Sequence, residues 1–255
     1  MSYLPDPPSK NDWNFSTKLR PHLKLVSTGD VDFRHACTDT NQFDMGACVG
    51  NSTADSVEVI NALEGKPRIE LSRMFLYTLC RNKMDSDRDG RSDIDKDDGT
   101  YIRYAFQVLS EFGICTEAMW PYDRRKLHRM PSLLAMREAI GHKIHSYYRI
   151  TETGASRVDA CLAALRSNHP VVFGTQVGDT FKRTKDGSIL RPVGDEEGGH
   201  AMLMVGYLTG KGFIIKNSWG LGWGENGFCY MAPEYISWEK TRDLWVPTGG
   251  TVFQS

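Results

Sequence analysis

The sequence predicts an α+β protein of two lobes. Apolar residues recur at helical spacing through the first half and stop at glycines. In the second half they give way to short apolar runs of strand character. With 255 residues, 40% of them hydrophobic and 25% charged, the chain can bury one sizeable core. Helices first and mostly antiparallel strands later point to segregated lobes, not to alternating βα units.

Residues 1–30 are polar, with three prolines among the first eight, and read as an extended N-terminal arm outside the core. Residues 31–135 read as the mainly helical lobe. Val49, Thr53, Val57, Ile60 and Leu63 follow steps of three and four from Cys48, and Gly65-Lys66-Pro67 stops that helix. Residues 71–80 read as a second short helix. Ile102, Ala105, Phe106, Leu109 and Phe112 form a third stripe that ends at Gly113. Residues 136–255 read as the mainly β lobe. Short helices are expected over 132–140 and 157–168, and strands over 143–150, 171–177, 201–207, 212–216 and 227–231. No internal repeat or low-complexity tract interrupts the pattern.

A net charge of −1 implies no polyanionic partner, so nucleic-acid binding is not expected. The longest apolar run, 201–208, falls far short of the roughly 18 residues of a membrane span. The start, Met1-Ser2-Tyr3-Leu4-Pro5, carries neither the basic nor the apolar region of a secretory leader. Six scattered cysteines, without a CxxC pair, fit free thiols in a reducing compartment, with Cys80–Cys115 left open as one pairing. The expected location is therefore cytoplasmic or otherwise intracellular, with secretion by another route left open. A monomer is expected.

Catalytic chemistry concentrates near the end of the chain. Gly199-His200-Ala201 opens an apolar strand, Asn217 ends another, and Ser218-Trp219-Gly220 leads into a Gly/Trp-rich turn. A histidine oriented by an amide, with indole nearby, is half of a catalytic apparatus and calls for a nucleophile. Cys48 supplies one. It stands where a loop ends and a helix begins, in the positive end of the helix dipole, which favours the thiolate. Gln42, six positions earlier, can aim an amide N–H at the same point.

These pieces resemble the papain family of cysteine peptidases: Gln-x5-Cys at Gln42 and Cys48, Gly-His-Ala at 199–201, and Asn-Ser-Trp-Gly-x2-Trp-Gly-Glu-x-Gly at 217–227. The similarity extends from about Val31 to Trp245, and its style is closer to bacterial, archaeal or viral members. The resemblance implies a papain-like fold, with a helical left lobe, an antiparallel β-barrel-like right lobe and the site in the cleft between them. It implies Cys48 as nucleophile, His200 as general base and then acid, Asn217 as orienter, Gln42 as oxyanion donor beside the Cys48 N–H, and Trp219 as shield. It also implies a peptide or protein substrate laid against Gly99. The second pocket would be lined near Thr100, Ile102, Gly174 and Gly199, with Ala201 behind, and would be open to a bulky apolar side chain. The activity implied is a cysteine endopeptidase working through a thioester, with no cofactor required. A transferase or amidase using the same thioester, and a catalytically silent binding homologue, are the alternatives.

The chain departs from the family in places. Met45 replaces the cysteine of a common disulfide, Val49 replaces a tryptophan, and only about forty residues precede the cleft. An inhibitory arm of that length would have to act as a short extended plug. The acidic segment 85–98 places Asp85, Asp87, Asp89 and Asp93 at alternating positions around Gly90, like the first two-thirds of a calcium loop. Its twelfth position is Lys96 in place of the bidentate glutamate. Calcium binding and a solvated acidic insertion both stand as readings. The histidines other than His200 show no metal-like grouping.

Overall fold

The structure is a computed structural model that describes residues 3–249. Met1, Ser2 and residues 250–255, the outer ends of the predicted arm and β lobe, lie outside the described residues. The elements run in chain order as β1 (Tyr3–Leu4), α1 (Phe15–Lys18), β2 (Val31–Asp32), α2 (Cys48–Leu63), α3 (Arg73–Asn82), β3 (Thr100–Tyr101), α4 (Ile102–Glu111), α5 (Leu133–Ala139) and β4 (Ser146–Ile150). They continue as α6 (Gly154–Leu165), β5 (Val171–Gly178), α7 (Asp179–Lys182), β6 (Ile189–Leu190), β7 (Glu196–Leu208), β8 (Gly212–Lys216), β9 (Phe228–Met231), α8 (Pro233–Ser237) and β10 (Arg242–Thr248). Helices α2 to α4 make one lobe. The other is built on a sheet ordered β4-β10-β5-β7-β8-β9-β6, antiparallel except for the β6–β9 pair, with β2 added to β7.

Helix α2 begins at Cys48, as the loop-to-helix transition in the sequence predicts, and is buried from Cys48 through Asn61. The apolar stripe alone would leave its other faces wet. Instead they meet α3 and the sheet, so the polar residues on α2 must find partners inside. Gly50 permits the close approach of α3, since a Cβ there would lie 3.1 Å from both the Arg73 carbonyl oxygen and the Tyr77 Cβ. Asp55 binds Lys216 Nζ of β8 at 2.5 Å and Arg73 Nη2 of α3 at 2.7 Å, and Glu58 binds Arg73 at 2.9 Å. Burial pushes both carboxyls up. At Asp55 the two cations outweigh burial and hold the group below its ordinary range, whereas at Glu58 burial prevails.

The N-terminal segment differs from the expected non-core arm. Tyr3 and Phe15 are buried, and Asn14 caps α1 by accepting from the Thr17 N–H at 2.9 Å. Arginines explain the docking. Arg103 of α4 grips Asp12 through Nε and Nη2, both at 2.8 Å, and Arg149 of β4 binds the same carboxylate at 2.9 Å. Strand β10 is the main element absent from the sequence reading. It lies between β4 and β5, and its Trp245 packs against Phe106 and Tyr147. None of the six cysteines, all among the described residues, forms a disulfide, so Cys80 and Cys115 are not joined.

The acidic segment closes on a lysine. Lys96 Nζ donates to Asp87 and, at 2.8 Å, to Asp93, at the end of the segment where a calcium loop would carry its glutamate. Asp85 accepts from the N–H groups of Asp89 and Gly90, and Asp89 from that of Arg91. Asp87 and Asp93 thus converge on one lysine, whereas Asp85 and Asp89 accept from backbone N–H groups. Among the described residues no group of three or more His, Cys, Asp or Glu is placed to hold a metal ion. We expect millimolar calcium to shift the melting temperature by less than about 1 °C, because an ion without a formed site adds no linkage energy. A rise of several degrees would favour the calcium reading over the solvated insertion.

Candidate active site

Cys48 is the first residue of α2, and no side chain caps the helix, the N-cap being Ala47. The N-terminal end of the dipole of a 16-residue helix therefore favours the thiolate at this position. Tyr77 and the Gly46 N–H both donate to Asp97 Oδ1, at 2.7 and 2.9 Å, and fix the loop just before the nucleophile.

His200 sits within β7, opposite Thr175 of β5, and Asn217 follows directly on β8. His200 Nε2 lies 2.7 Å from Asn217 Oδ1. The Ser218 N–H donates to the same Oδ1 at 2.8 Å, which identifies that atom as the amide oxygen. Nε2 must then carry the hydrogen, and Nδ1 is the basic atom of the ring. That Nδ1 is buried and has no hydrogen-bond partner among the described residues. Burial pushes the imidazole down to about 4, against the upward pull of the Asn217 bond, so the ring is held neutral in this state.

Gln42 is fixed from both sides. Its N–H donates to the Ser218 carbonyl at 2.8 Å, its Oε1 accepts from the Ser218 hydroxyl at 2.6 Å, and its Nε2 donates to the Met45 carbonyl at 2.9 Å. One amide N–H is left for another acceptor. Ser218 thus links the orienting amide to the candidate oxyanion donor, a positioning role that the motif contains but does not announce. Trp219 lies over the imidazole with ring centroids 4.9 Å apart. Phe181 of α7 completes the wall, 5.8 Å from His200, 5.2 Å from Trp219 and 4.7 Å from Trp223. Nothing near Phe181 in sequence points to this place.

The expected substrate-binding residues converge on the arm. Strand β1 pairs in parallel with β3, Tyr3 opposite Thr100 and one residue from Gly99. The Gly99 N–H donates to the Tyr77 hydroxyl at 3.3 Å. A Cβ on Gly174 would lie 2.1 Å from Tyr3 Cζ, and one on Gly199 would lie 2.5 Å from the Tyr3 carbonyl oxygen. Thr100, Gly174 and Gly199 therefore form a slot between the lobes, and Tyr3 fills it. With the arm in place Cys48, His200 and Thr100 are all fully buried.

A family model described as papain family cysteine protease matches residues 28–241. The chain belongs to that family. This papain-family protease is 32% identical to an uncharacterized peptidase C1-like protein of Acanthamoeba polyphaga mimivirus, over 96% of this chain and 86% of the relative. It is 27% identical to cathepsin S of Rattus norvegicus, over 86% of this chain and 65% of that protein. Among solved structures it matches xylellain, a cysteine protease from Xylella fastidiosa, with a TM-score of 0.79 and 29% identity, over 97% of this chain and 95% of that one. The α+β two-lobe papain fold and the thiol-protease class predicted from the sequence hold.

The surroundings of Asp6 would link arm docking in this protease to pH. Asp6 accepts from the Arg103 N–H at 3.1 Å and Trp245 Nε1 at 2.8 Å, and its own N–H donates to Asp243 at 2.7 Å. Burial first, and then the Asp243 charge, push its carboxyl up to about 7, against the opposing pull of Arg103 and Trp245. A carboxyl raised in the docked state takes up a proton on docking. That contribution is complete at low pH and is lost as pH rises through about 7. Alkylation of Cys48 by iodoacetamide should accelerate between pH 6 and pH 8 beyond the change seen in Asp6→Asn, on either side of the Asp6 midpoint. Identical pH profiles for the two chains would refute the linkage.

Proposed function

We propose that this papain-family protease is an endopeptidase made with its cleft closed by its own N-terminal segment. The observation that carries the catalytic reading is the His200–Asn217 pair, whose geometry leaves Nδ1 as the basic atom. In the reaction Nδ1 takes the Cys48 thiol proton, and the sulfur attacks the carbonyl carbon of the scissile bond. The negative oxygen that forms receives the Cys48 N–H and the second Gln42 amide N–H. His200 then gives its proton to the departing amine and leaves a thioester on Cys48. A water molecule, deprotonated by the same nitrogen, hydrolyses it and returns the thiol.

The arm supplies the control. A tethered segment competes at an effective concentration in the millimolar range or above, so free peptides displace it poorly. Full burial of one aromatic side chain adds about 1.5–3 kcal/mol to its hold. An unaccompanied monomer in a reducing compartment suits the chain. Met45 replaces a common half-cystine, and burial pushes the Cys37 and Cys115 thiols up to about 12, where they stay protonated.

The test is peptide hydrolysis and epoxysuccinyl labelling of the full chain. Cys48→Ala should abolish both, with a rate loss of at least about 10⁴-fold. Gln42→Ala should slow hydrolysis by about 10²–10³-fold. Tyr3→Ala should speed labelling of Cys48 relative to the wild type. Labelling that survives in Cys48→Ala would refute the nucleophile. Equal labelling of the Tyr3→Ala and wild-type chains would refute the closed cleft.

A further inference from the structure

The outer face of α5 is apolar where the fold gives no reason for it. Ser132 caps this helix by accepting from the Ala135 N–H at 3.2 Å. Ala135 and Ala139 are fully buried and fix which side meets the core. The other side carries Leu133, Leu134, Arg137 and Ile140, which helical spacing places together. Leu133 is 88% exposed, Leu134 65% and Ile140 64%, and Met130, two residues before the cap, is exposed as well. Single apolar residues are ordinary on a surface, but a cluster of this kind marks a place where something binds.

The charge around the cluster is one-sided. Residues 123–143 hold six lysines and arginines against two acids, in a chain whose net charge is −1. Both acids are occupied. Asp123 holds Arg125, and Glu138 accepts from the Thr116 N–H and hydroxyl. Arg129 and Arg137, the cations nearest the leucines in sequence, enter no ion pair among the described residues. Their charge is free to act on a partner.

These features decide between occupants. A second copy fits poorly, because a two-fold contact would set like cations against one another. A leucine as exposed as Leu133 stands proud of the surface, the form in which an apolar group enters the boundary between lipid headgroups and acyl chains. Free cations beside it are drawn to anionic headgroups. We propose that the α5 face docks the protein on an anionic lipid bilayer, with Leu133, Leu134 and Ile140 inserted and Arg129 and Arg137 against the headgroups. The basic segment also reaches the candidate active site. The Tyr122 hydroxyl donates to the Gln42 carbonyl at 3.1 Å, and Arg124 pairs with Asp44, four residues before Cys48. Docking therefore carries the site to membrane-borne substrates.

The test is flotation of the full chain with vesicles of pure phosphatidylcholine or of equimolar phosphatidylcholine and phosphatidylserine. We expect binding to the mixed vesicles at least about 10-fold tighter than to the neutral ones, and weaker as salt rises. Leu133→Asp combined with Leu134→Asp should weaken it at least about 10-fold further, the worth of burying one leucine. Aspartate suits the first turn of a helix, and an unchanged melting temperature and rate on a soluble peptide check that this variant is folded. Arg129→Ala and Arg137→Ala, which leave the apolar face intact, should each weaken binding about 5-fold. Absence of binding to the mixed vesicles, or equal binding to the neutral ones, would overturn the proposal. Binding unchanged in the leucine and arginine variants would overturn it too. So would a wild-type dimer that the leucine variant dissociates, since a second copy would then cover the face. None of these outcomes touches the peptidase reading, which the soluble peptide tests separately.

Discussion

A carboxylate and an ammonium that water scarcely reaches hold the two halves of the candidate catalytic apparatus in register. Asp55 and Lys216 are each only 3% exposed and lie 2.5 Å apart. Asp55 is two helical turns beyond Cys48 on α2 and so shares its face. Lys216 directly precedes Asn217 at the end of β8. The pair therefore ties the helix that presents the thiol to the strand that orients the imidazole. Arg73 extends the tie into α3 through Asp55 and Glu58. A buried pair adds little net stability over an apolar one, but an orphaned member is expensive, which is how such a pair enforces a geometry.

From that frame the rest of the site follows by short links. Asn217 Oδ1 fixes the imidazole, and Ser218 ties it to Gln42. Trp219 and Phe181 then close over the ring. The arm lies across the front, pinned by Asp6 and Asp12 to Arg103, Arg149 and Trp245. Its docking carries opposite proton preferences. A buried His200 favours the docked chain at higher pH, whereas a protonated Asp6 favours it at lower pH. Above the ordinary histidine range only the Asp6 contribution still changes.

The candidate catalytic residues could be picked out in the sequence because short spacings encode them. Gln42 lies in the loop that leads into Cys48, and His200, within β7, and Asn217, directly after β8, belong to two strands that pair. The main helices were legible for a similar reason, since an apolar stripe and a terminating glycine are local signals. What escaped was long-range. The polar faces of α2 look solvated until Lys216 and Arg73 arrive from distant segments. Strand β10, with Pro247 near its end, lacks clean alternation, and Asp243 reaches the slot only through its left-handed backbone. Tyr3 gave no sign, because its neighbours in the fold lie about a hundred or more residues away. The calcium-like spacing does not by itself decide between the two readings of this segment, because Lys96, an ordinary surface residue in sequence, folds back between Asp87 and Asp93.

The tie between the lobes is tested most directly by a double-mutant cycle on Asp55 and Lys216, reading both unfolding free energy and peptide hydrolysis in one background. Asp55→Asn should cost about 3–5 kcal/mol, because it strands the buried Lys216. Lys216→Met should cost less, because Arg73 still balances Asp55, and each variant should lower kcat/KM. The double variant should recover much of that stability while its hydrolysis stays impaired, since the register is no longer enforced. Single variants that match the wild type in both stability and rate would contradict the account.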